Sequence, residues 1–385
     1  MAGYIIGLSN EKSLKECIET GIYSTNLSAP KNNIWKIHHE GTFADYFGMK
    51  EGDNIYFFID RKIYGIGQLI KIKEDCKYWN YIGAEKPKDY SYDNIKHSMI
   101  MNKKENINNR CLCIFMPYPK FFSQGIDMDD VLSSNPSKFR MLRAFWKLSF
   151  VKVDEEENKA LKDIILKRNE KFISSDDGNS FVYDKEKQKS ILSKVNGQYA
   201  MDSKSILKSC NDGNHIKHEM AIEAALLDIL SKSRDSIFGK WDYISHQVVA
   251  SPFKPIDYMD KMDVFGFKYI DGFDTISKYL AIEIKKDAAK KDVIDQVMKY
   301  VDWINEEYAY GDYGMIQAFI VAYDFGDDVI EYRNSVCIRN YTRGRRPTIP
   351  GLWRNVRLIR YSFSDERGIE FYEVGKQNEE ENNFR

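Results

Sequence analysis

Apolar positions fall into three successive patterns along the chain. From residue 1 to about 152 they come as short runs broken by Gly, Asn and Asp, which predicts a mostly β region. NIYFFID at 54–60 and IYGIGQLI at 63–70 flank a turn at Arg61 and Lys62 and predict a hairpin. CLCIFMP at 111–117 predicts a further strand, and FWKLSFVKV at 145–153 one that closes the region. From Asp154 to about Asn214 the chain turns to Lys, Glu, Ser and Asp. Asp154, three Glu and ALKDIILK predict an N-capped helix with acids in its first turn. The weak periodicity of 174–188 predicts a loop within a helical connector. Beyond 214, helical and strand periods alternate: a helix at 216–231, strands at 243–251, 262–270 and 277–285, an amphipathic helix at 291–307 and a buried strand at 315–323. A turn at Asp271 and Gly272 joins two of those strands, two or three more follow, and the last dozen residues predict a loose tail. The expected fold class is multi-domain α/β. Its parts are a first domain over 1–153, a connector over 154–213, an α/β core with a mixed sheet over 214–375 and a tail over 376–385.

Composition adds limits to this picture. With 385 residues, 43% hydrophobic and 14% aromatic, the chain can bury the cores of two or three domains. No apolar run approaches the ~18 residues of a membrane span, and the first residues lack a basic, apolar leader, so a cytoplasmic protein with no membrane association is expected. Cysteines 17, 76, 111, 113, 210 and 337 are too scattered for a disulfide framework. Cys111 and Cys113 lack a second Cys or His pair at zinc-site spacing, so reduced, buried thiols are expected.

The net charge of −1 hides an asymmetry. Only 16 of the 57 Lys plus Arg residues are Arg, and eight of those lie from Arg333 to Arg360, a stretch without Asp, Glu or Lys. Tyr341 and Trp353 are interleaved with them. Arginine in place of lysine suggests bidentate phosphate or base contacts, which makes Arg339, Arg343, Arg345, Arg346 and Arg354 candidate nucleic-acid contacts. Pairing of these arginines with carboxylates elsewhere in the fold is the other reading.

Candidate chemistry gathers around Asp263 and the run Glu283-Ile284-Lys285. Residues two apart on a strand share a face, so Glu283 and Lys285 point to the same side. Ile284 faces the core and can offer its backbone carbonyl. The turn returns the preceding strand, with Asp263, to the side of Glu283. Two carboxylates and a carbonyl make an oxygen-ligand set suited to Mg²⁺, with Mn²⁺ able to substitute. Such a cation polarises a phosphate and acidifies water, and Lys285 can orient that water. Glu219 and Glu223, one helical turn apart, are further candidates; Glu219, nearer the helix start, is favoured, and a solvated helix face is the alternative. Asp257 and Asp260 compete with Asp263, which is preferred because Val264 and Phe265 carry it into a buried strand.

With Gln296 and Tyr300 following, this D…ExK…QxxxY pattern resembles the PD-(D/E)xK nuclease superfamily. The run AIEIKKDAAKKDVIDQVMKYV looks most like its NucS-type endonuclease branch. The resemblance covers about 110 residues from Lys217. It implies metal ligation by Asp263 and Glu283, catalysis assisted by Lys285, and a supporting role at the site or on the DNA backbone for Gln296 and Tyr300. Two departures stand out: the separation of Asp263 from Glu283 is long for the family, and Pro255 does not directly precede the Asp.

In the first domain, Met49-Lys50-Glu51-Gly52-Asp53 before an aromatic strand resembles the PUA-like/EVE group of small β-barrels. That resemblance implies a nucleic-acid reader that grips a flipped or modified base, for which Trp35 and Trp79 are candidate walls; packing inside the barrel is their other reading. Together these readings lead to the expectation of a Mg²⁺-dependent DNA endonuclease, modification-dependent or anti-phage, with DNA, modified or unmodified, as its partner and a homodimer or higher homo-oligomer as its assembly. A mismatch- or structure-specific repair nuclease, an RNA-directed nuclease and a catalytically silent binding protein remain alternatives.

Overall fold

The computed structural model describes residues 1–144, 150–175, 178–213, 215–232, 236–251, 259–344 and 346–375, with Glu105 described by its backbone alone. The chain is multi-domain α/β and divides into two compact units, Met1–Ser209 and Cys210–Arg385.

The first unit is built on an eight-stranded sheet. Its strands are β1 (Gly3–Gly7), β2 (Ile22–Asn26), β3 (Asn54–Ile59), β4 (Lys62–Leu69), β5 (Lys77–Trp79), β6 (Asn109–Pro117), β7 (Ile126–Asp127) and β8 (Phe150–Val153). The main path runs β2-β6-β4-β3-β1-β8, with β5 on β6 and β7 on β4. The expected hairpin is β3–β4, but its turn is Asp60-Arg61, one residue earlier than the sequence pattern indicates. Asp60 and Arg61 have φ of 48° and 64°, and Ile59 already pairs with Lys62. Positive φ at both central residues gives a two-residue loop whose twist matches that of its strands.

Helices are more frequent in the first 152 residues than the apolar runs indicate. Helix Glu11–Thr20 starts where Asn10 Oδ1 accepts from Ser13 N (2.9 Å) and ends at Gly21 with φ 60°. A second helix, Ile37–Phe47, buries Phe43, Ala44, Tyr46 and Phe47. The strand expected at 145–153 is described only as β8, because 145–149 lie outside the described residues, as do 176 and 177 of the expected loop and Asn214 at the expected boundary.

Helix Glu155–Arg168 has the N-cap read from its sequence, Asp154 Oδ1 accepting from Glu157 N at 2.9 Å. This helix packs on β1 and β4. Its Asn158 accepts from Tyr56 Oη (2.8 Å) and donates to Asn54 Oδ1 (3.0 Å). The segment expected as a connector is therefore built into the first unit as far as Ser209.

The second unit has a six-stranded mixed sheet, in the order β16-β15-β12-β11-β10-β9. Its members are β9 (Tyr243–Val249), β10 (Lys261–Tyr269), β11 (Ile276–Ile284), β12 (Ile316–Ala322), β15 (Val356–Ser364) and β16 (Gly368–Val374), while β13 (Arg339–Arg343) and β14 (Ile349–Trp353) form a separate two-stranded ribbon. Strands β11, β12 and β15 run parallel; the remaining pairs of the sheet are antiparallel. Leu280 to Ile284 of β11 and Ala318 to Ala322 of β12 are continuously buried, as central parallel strands are. Helix Glu219–Ser231 packs on β9, β10 and β11, and helix Lys291–Glu307 on β11 and β12. Four strands follow β12, where two or three are expected from the sequence. The tail expected at 376–385 lies outside the described residues.

All six cysteines are buried and free. Among the described residues no helix is long and apolar enough to cross a membrane.

Candidate functional site

Strands β10 and β11 pair in a register that sets Val264 against Ile282, so the next step along each brings Asp263 beside Glu283. Asp263 is fastened there, its Oδ2 accepting from the Ile284 amide at 2.7 Å. Ile284 itself is buried in the core and meets Asp263 through its amide. Glu283 is only 1% exposed; its Oε1 accepts from Lys285 Nζ at 2.5 Å, while Oε2 is buried without a hydrogen-bond partner. Lys285 N continues the ladder to Val321 O (2.8 Å), which keeps the Lys285 side chain on the face of Glu283.

Helix Glu219–Ser231 supplies two more carboxylates from successive turns. Glu219 Oε1 accepts from Lys286 N at 3.3 Å. Glu223 is buried and meets the side chain of Gln247 on β9, whose Nε2 lies 3.0 and 3.1 Å from the two Glu223 oxygens and 3.2 Å from Asp263 Oδ1. His246 Nδ1 stands 3.5 Å from Glu223 Oε2. Both helix carboxylates thus reach the cluster, Glu219 on the side of Lys285 and Lys286, Glu223 on the side of Asp263.

Crowding of like charge shows in the proton affinities. Burial, then Glu223 and Glu283, push Asp263 well above the usual carboxylate range, against the Ile284 amide and Lys285. Burial pushes Glu283 up to about 7 despite Lys285, and Glu219 adds to the rise. For Lys285 burial works downward, but Glu283 outweighs it and holds the ammonium above its usual range.

Helix Lys291–Glu307 braces this arrangement. Gln296 Nε2 donates to Tyr300 Oη (2.7 Å), which donates to Lys261 O (2.8 Å), two residues before Asp263. Tyr300 is buried, and Glu283 and Asp263 both raise its proton affinity after burial itself. Asp260 is half-buried just before β10 and, like Glu283 and Asp263, acts on Tyr300, while Asp257 and Pro255 lie outside the described residues.

The donors suit a hard divalent cation: carboxylates dominate, they repel one another, and a buried Glu283 oxygen is unpartnered. Among the described residues no three His, Cys, Asp or Glu groups are drawn together closely enough to hold a metal ion. Lys285 and the Gln247 amide meet these carboxylates directly. Gln247 has no signature in the sequence that sets it apart from any other strand residue.

Most of the arginine-rich segment is engaged within the second unit. Arg339 makes a two-pronged pair with Asp302 (2.8 Å on both prongs), Arg343 pairs with Asp312 (3.0 Å), and Arg357 pairs with Glu373 (2.7 and 2.9 Å). Arg333 is buried and donates to Val356 O (2.9 Å). Arg346 and Arg354 are exposed and have no ion pair among the described residues; Arg345 lies outside them.

Trp35 and Trp79 are 0% and 2% exposed. Trp35 donates to Glu85 O (3.0 Å), and both rings meet Phe43 edge-on, at centroid distances of 5.3 and 5.7 Å. They are core residues of the first unit and present no open face to a base, which corrects the cage expected from sequence.

No protein-family model matches the chain, and a search of curated proteins found no match. Among solved structures, a repair endonuclease from Pyrococcus abyssi is similar over 33% of this chain at 22% identity and TM-score 0.21. The chain spans about half of that endonuclease, 46%. Rpa0253 from Rhodopseudomonas palustris is similar over 43% of this chain and 92% of its own, at 14% identity and TM-score 0.27. A hypothetical protein from Leishmania major is similar over 45% of this chain and 96% of its own, also at 14% and 0.27.

Proposed function

We propose that the second unit is the catalytic part of a metal-dependent endonuclease that hydrolyses phosphodiester bonds in DNA. The observation that supports this most directly is the set Asp263, Glu283 and Lys285: two carboxylates fastened side by side on paired strands, with an ammonium on the same face. Asp263 and Glu283 would hold the cation, Mg²⁺ or Mn²⁺, with the Ile284 carbonyl and one or both of Glu219 and Glu223 as further donors. Bound there, the cation supplies Lewis acidity toward a phosphate oxygen and acidity to a water. The Lys285 ammonium, steadied by Glu283, orients the attacking water and offsets charge on the phosphate. Water adds its oxygen to phosphorus and gives up a proton, the bond to the leaving deoxyribose oxygen breaks, and that oxygen takes up a proton. Arg346 and Arg354, exposed and without an ion pair among the described residues, are cations suited to backbone phosphates, which add affinity without sequence information.

Target choice then falls to the first unit, and we place the enzyme among modification-dependent restriction or anti-phage nucleases. Support for that division of labour is the partition of the chain into two units with separate sheets. Any base pocket uses residues other than Trp35 and Trp79.

The test is cleavage of matched plasmids, unmodified, methylated, hydroxymethylated or glucosylated at cytosine, and of an RNA transcript of the same sequence, with Mg²⁺ or Mn²⁺ and with Glu283→Ala as the blank. Cleavage of modified plasmid alone is the expected result. Equal cleavage of every plasmid leaves the nuclease and replaces modification by mismatch or structure sensing. Cleavage of RNA alone reassigns the substrate, and binding without cleavage overturns the enzyme reading.

A further inference from the structure

Strand β9 departs from regular pairing at one point. Val248 pairs with Met262 and His246 with Val264, but the step between them, where Gln247 faces Asp263, is skipped. Gln247 there has φ 52°, a left-handed conformation that is costly for a residue with a side chain. The distortion sends its amide into the carboxylate cluster. Nε2 ends 3.0, 3.1 and 3.2 Å from three oxygens belonging to Glu223 and Asp263. An amide nitrogen has two hydrogens and no lone pair to offer, so its positive pole is directed at the point where those oxygens converge.

We propose that Gln247 is a positioning residue that holds the place of the cation between Glu223 and Asp263, and that it withdraws when the cation binds. This inference rests on the reading of the cluster as a cation-dependent centre. The amide answers the mutual repulsion of two carboxylates that β10 and helix Glu219–Ser231 bring together. It uses the acceptor oxygens that a hard cation would use, so the two compete. A merely structural hydrogen bond would stabilise the fold without lowering cation affinity. A second observation points the same way: the buried, unpartnered Glu283 Oε2 leaves donor capacity in the cluster that Gln247 does not satisfy.

The experiment is calorimetric titration of Mn²⁺ alone into the full chain without nucleic acid, for the wild type, Gln247→Met and Gln247→Gly. Methionine keeps the unbranched stem and loses the donor; glycine loses the side chain and accepts the left-handed backbone without strain. Melting curves with and without Mn²⁺ accompany each titration. We expect both variants to bind Mn²⁺ three- to tenfold more tightly than the wild type, and Mn²⁺ to raise their Tm by more. Cooperatively melting variants whose affinity equals or falls below that of the wild type would overturn the role of Gln247 and leave the centre intact. Absence of Mn²⁺ binding by wild type and variants alike would remove the centre and the inference with it.

Discussion

The hydroxyl of Tyr300 donates to the carbonyl of Lys261 at 2.8 Å, and so ties helix Lys291–Glu307 to the start of the strand that carries Asp263 two residues later. Gln296, one turn earlier on the helix, donates to the same hydroxyl at 2.7 Å. Tyr300→Phe keeps the ring and removes both bonds, to the half-buried Lys261 carbonyl and Gln296 amide. Loss of a hydrogen bond costs about 0.5–1.5 kcal/mol net. Chemical denaturation should show a loss of that order, and cleavage should fall as Asp263 loses its brace. Gln296→Ala, at a half-buried position, should cost less. Equal stability of wild type and Tyr300→Phe would mean that the hydroxyl plays no part in bracing β10.

Separating charge from shape at Glu283 tests the site more sharply. Glu283→Gln is isosteric and removes a buried carboxylate, so it should melt within a few degrees of the wild type. Its cleavage should fall at least about 100-fold, the scale of losing a group that acts on developing charge. Lys285→Ala should lower cleavage on the same scale, but with lower stability, because it leaves Glu283 buried without its ammonium. Turnover unchanged in either variant would remove that residue from the chemistry.

Local signals made much of this fold legible. The Asp154 cap, the apolar spacing of helix Glu219–Ser231 and the amphipathic helix Lys291–Glu307 are each encoded within a few turns of chain, and the structure has them where the pattern does. So is the adjacency of Glu283 and Lys285, which follows from strand geometry alone. Helix Glu11–Thr20 carried its signals too, Asn10 before it and Gly21 after it, but the short apolar runs around it outweighed them in a strand reading. Long-range pairing was not legible. Asp302 and Asp312 lie 37 and 31 residues from the arginines they bind, so a segment free of acids looked unneutralised. The same holds for the two tryptophans, whose burial depends on Phe43 and on a backbone contact 50 residues from Trp35. Gln247 reached the cluster through a distortion of β9, and no sequence period records a positive φ.

Those pairings divide the arginines into two experimental classes. Arg346→Ala and Arg354→Ala should leave stability within about 0.5 kcal/mol, as exposed substitutions do. Each should weaken DNA binding and reduce the slope of log affinity against log salt by about 0.9, the share of one phosphate contact on duplex DNA. Arg339→Ala should act the other way. Loss of its pair with Asp302, both partly exposed, should lower stability by up to about 1 kcal/mol and leave the salt slope unchanged. A salt slope that moves with Arg339 but not with Arg346 or Arg354 would reverse the assignment.

In the first unit, Glu157 gives a dependence on pH that is independent of cleavage. It is 1% exposed and accepts from the amides of Met141 (3.2 Å) and Leu142 (2.9 Å). Burial, with Asp154 adding its charge, pushes its carboxyl up to about 8 from an ordinary 4.5. The folded chain therefore binds this proton more tightly than the unfolded chain does. Its contribution to stability is fully present below pH 4.5 and is lost as pH rises toward and through 8. Glu157→Gln is neutral throughout, keeps one acceptor oxygen and loses the other. Melting the two proteins side by side from pH 5 to 8.5 should show the wild type ahead at the acid end. Its advantage should shrink steadily as the buried carboxyl is forced to ionise. A constant gap across that range would show that Glu157 keeps one charge state in the fold, and the amides of Met141 and Leu142 would then be serving a carboxylate that never takes up the proton.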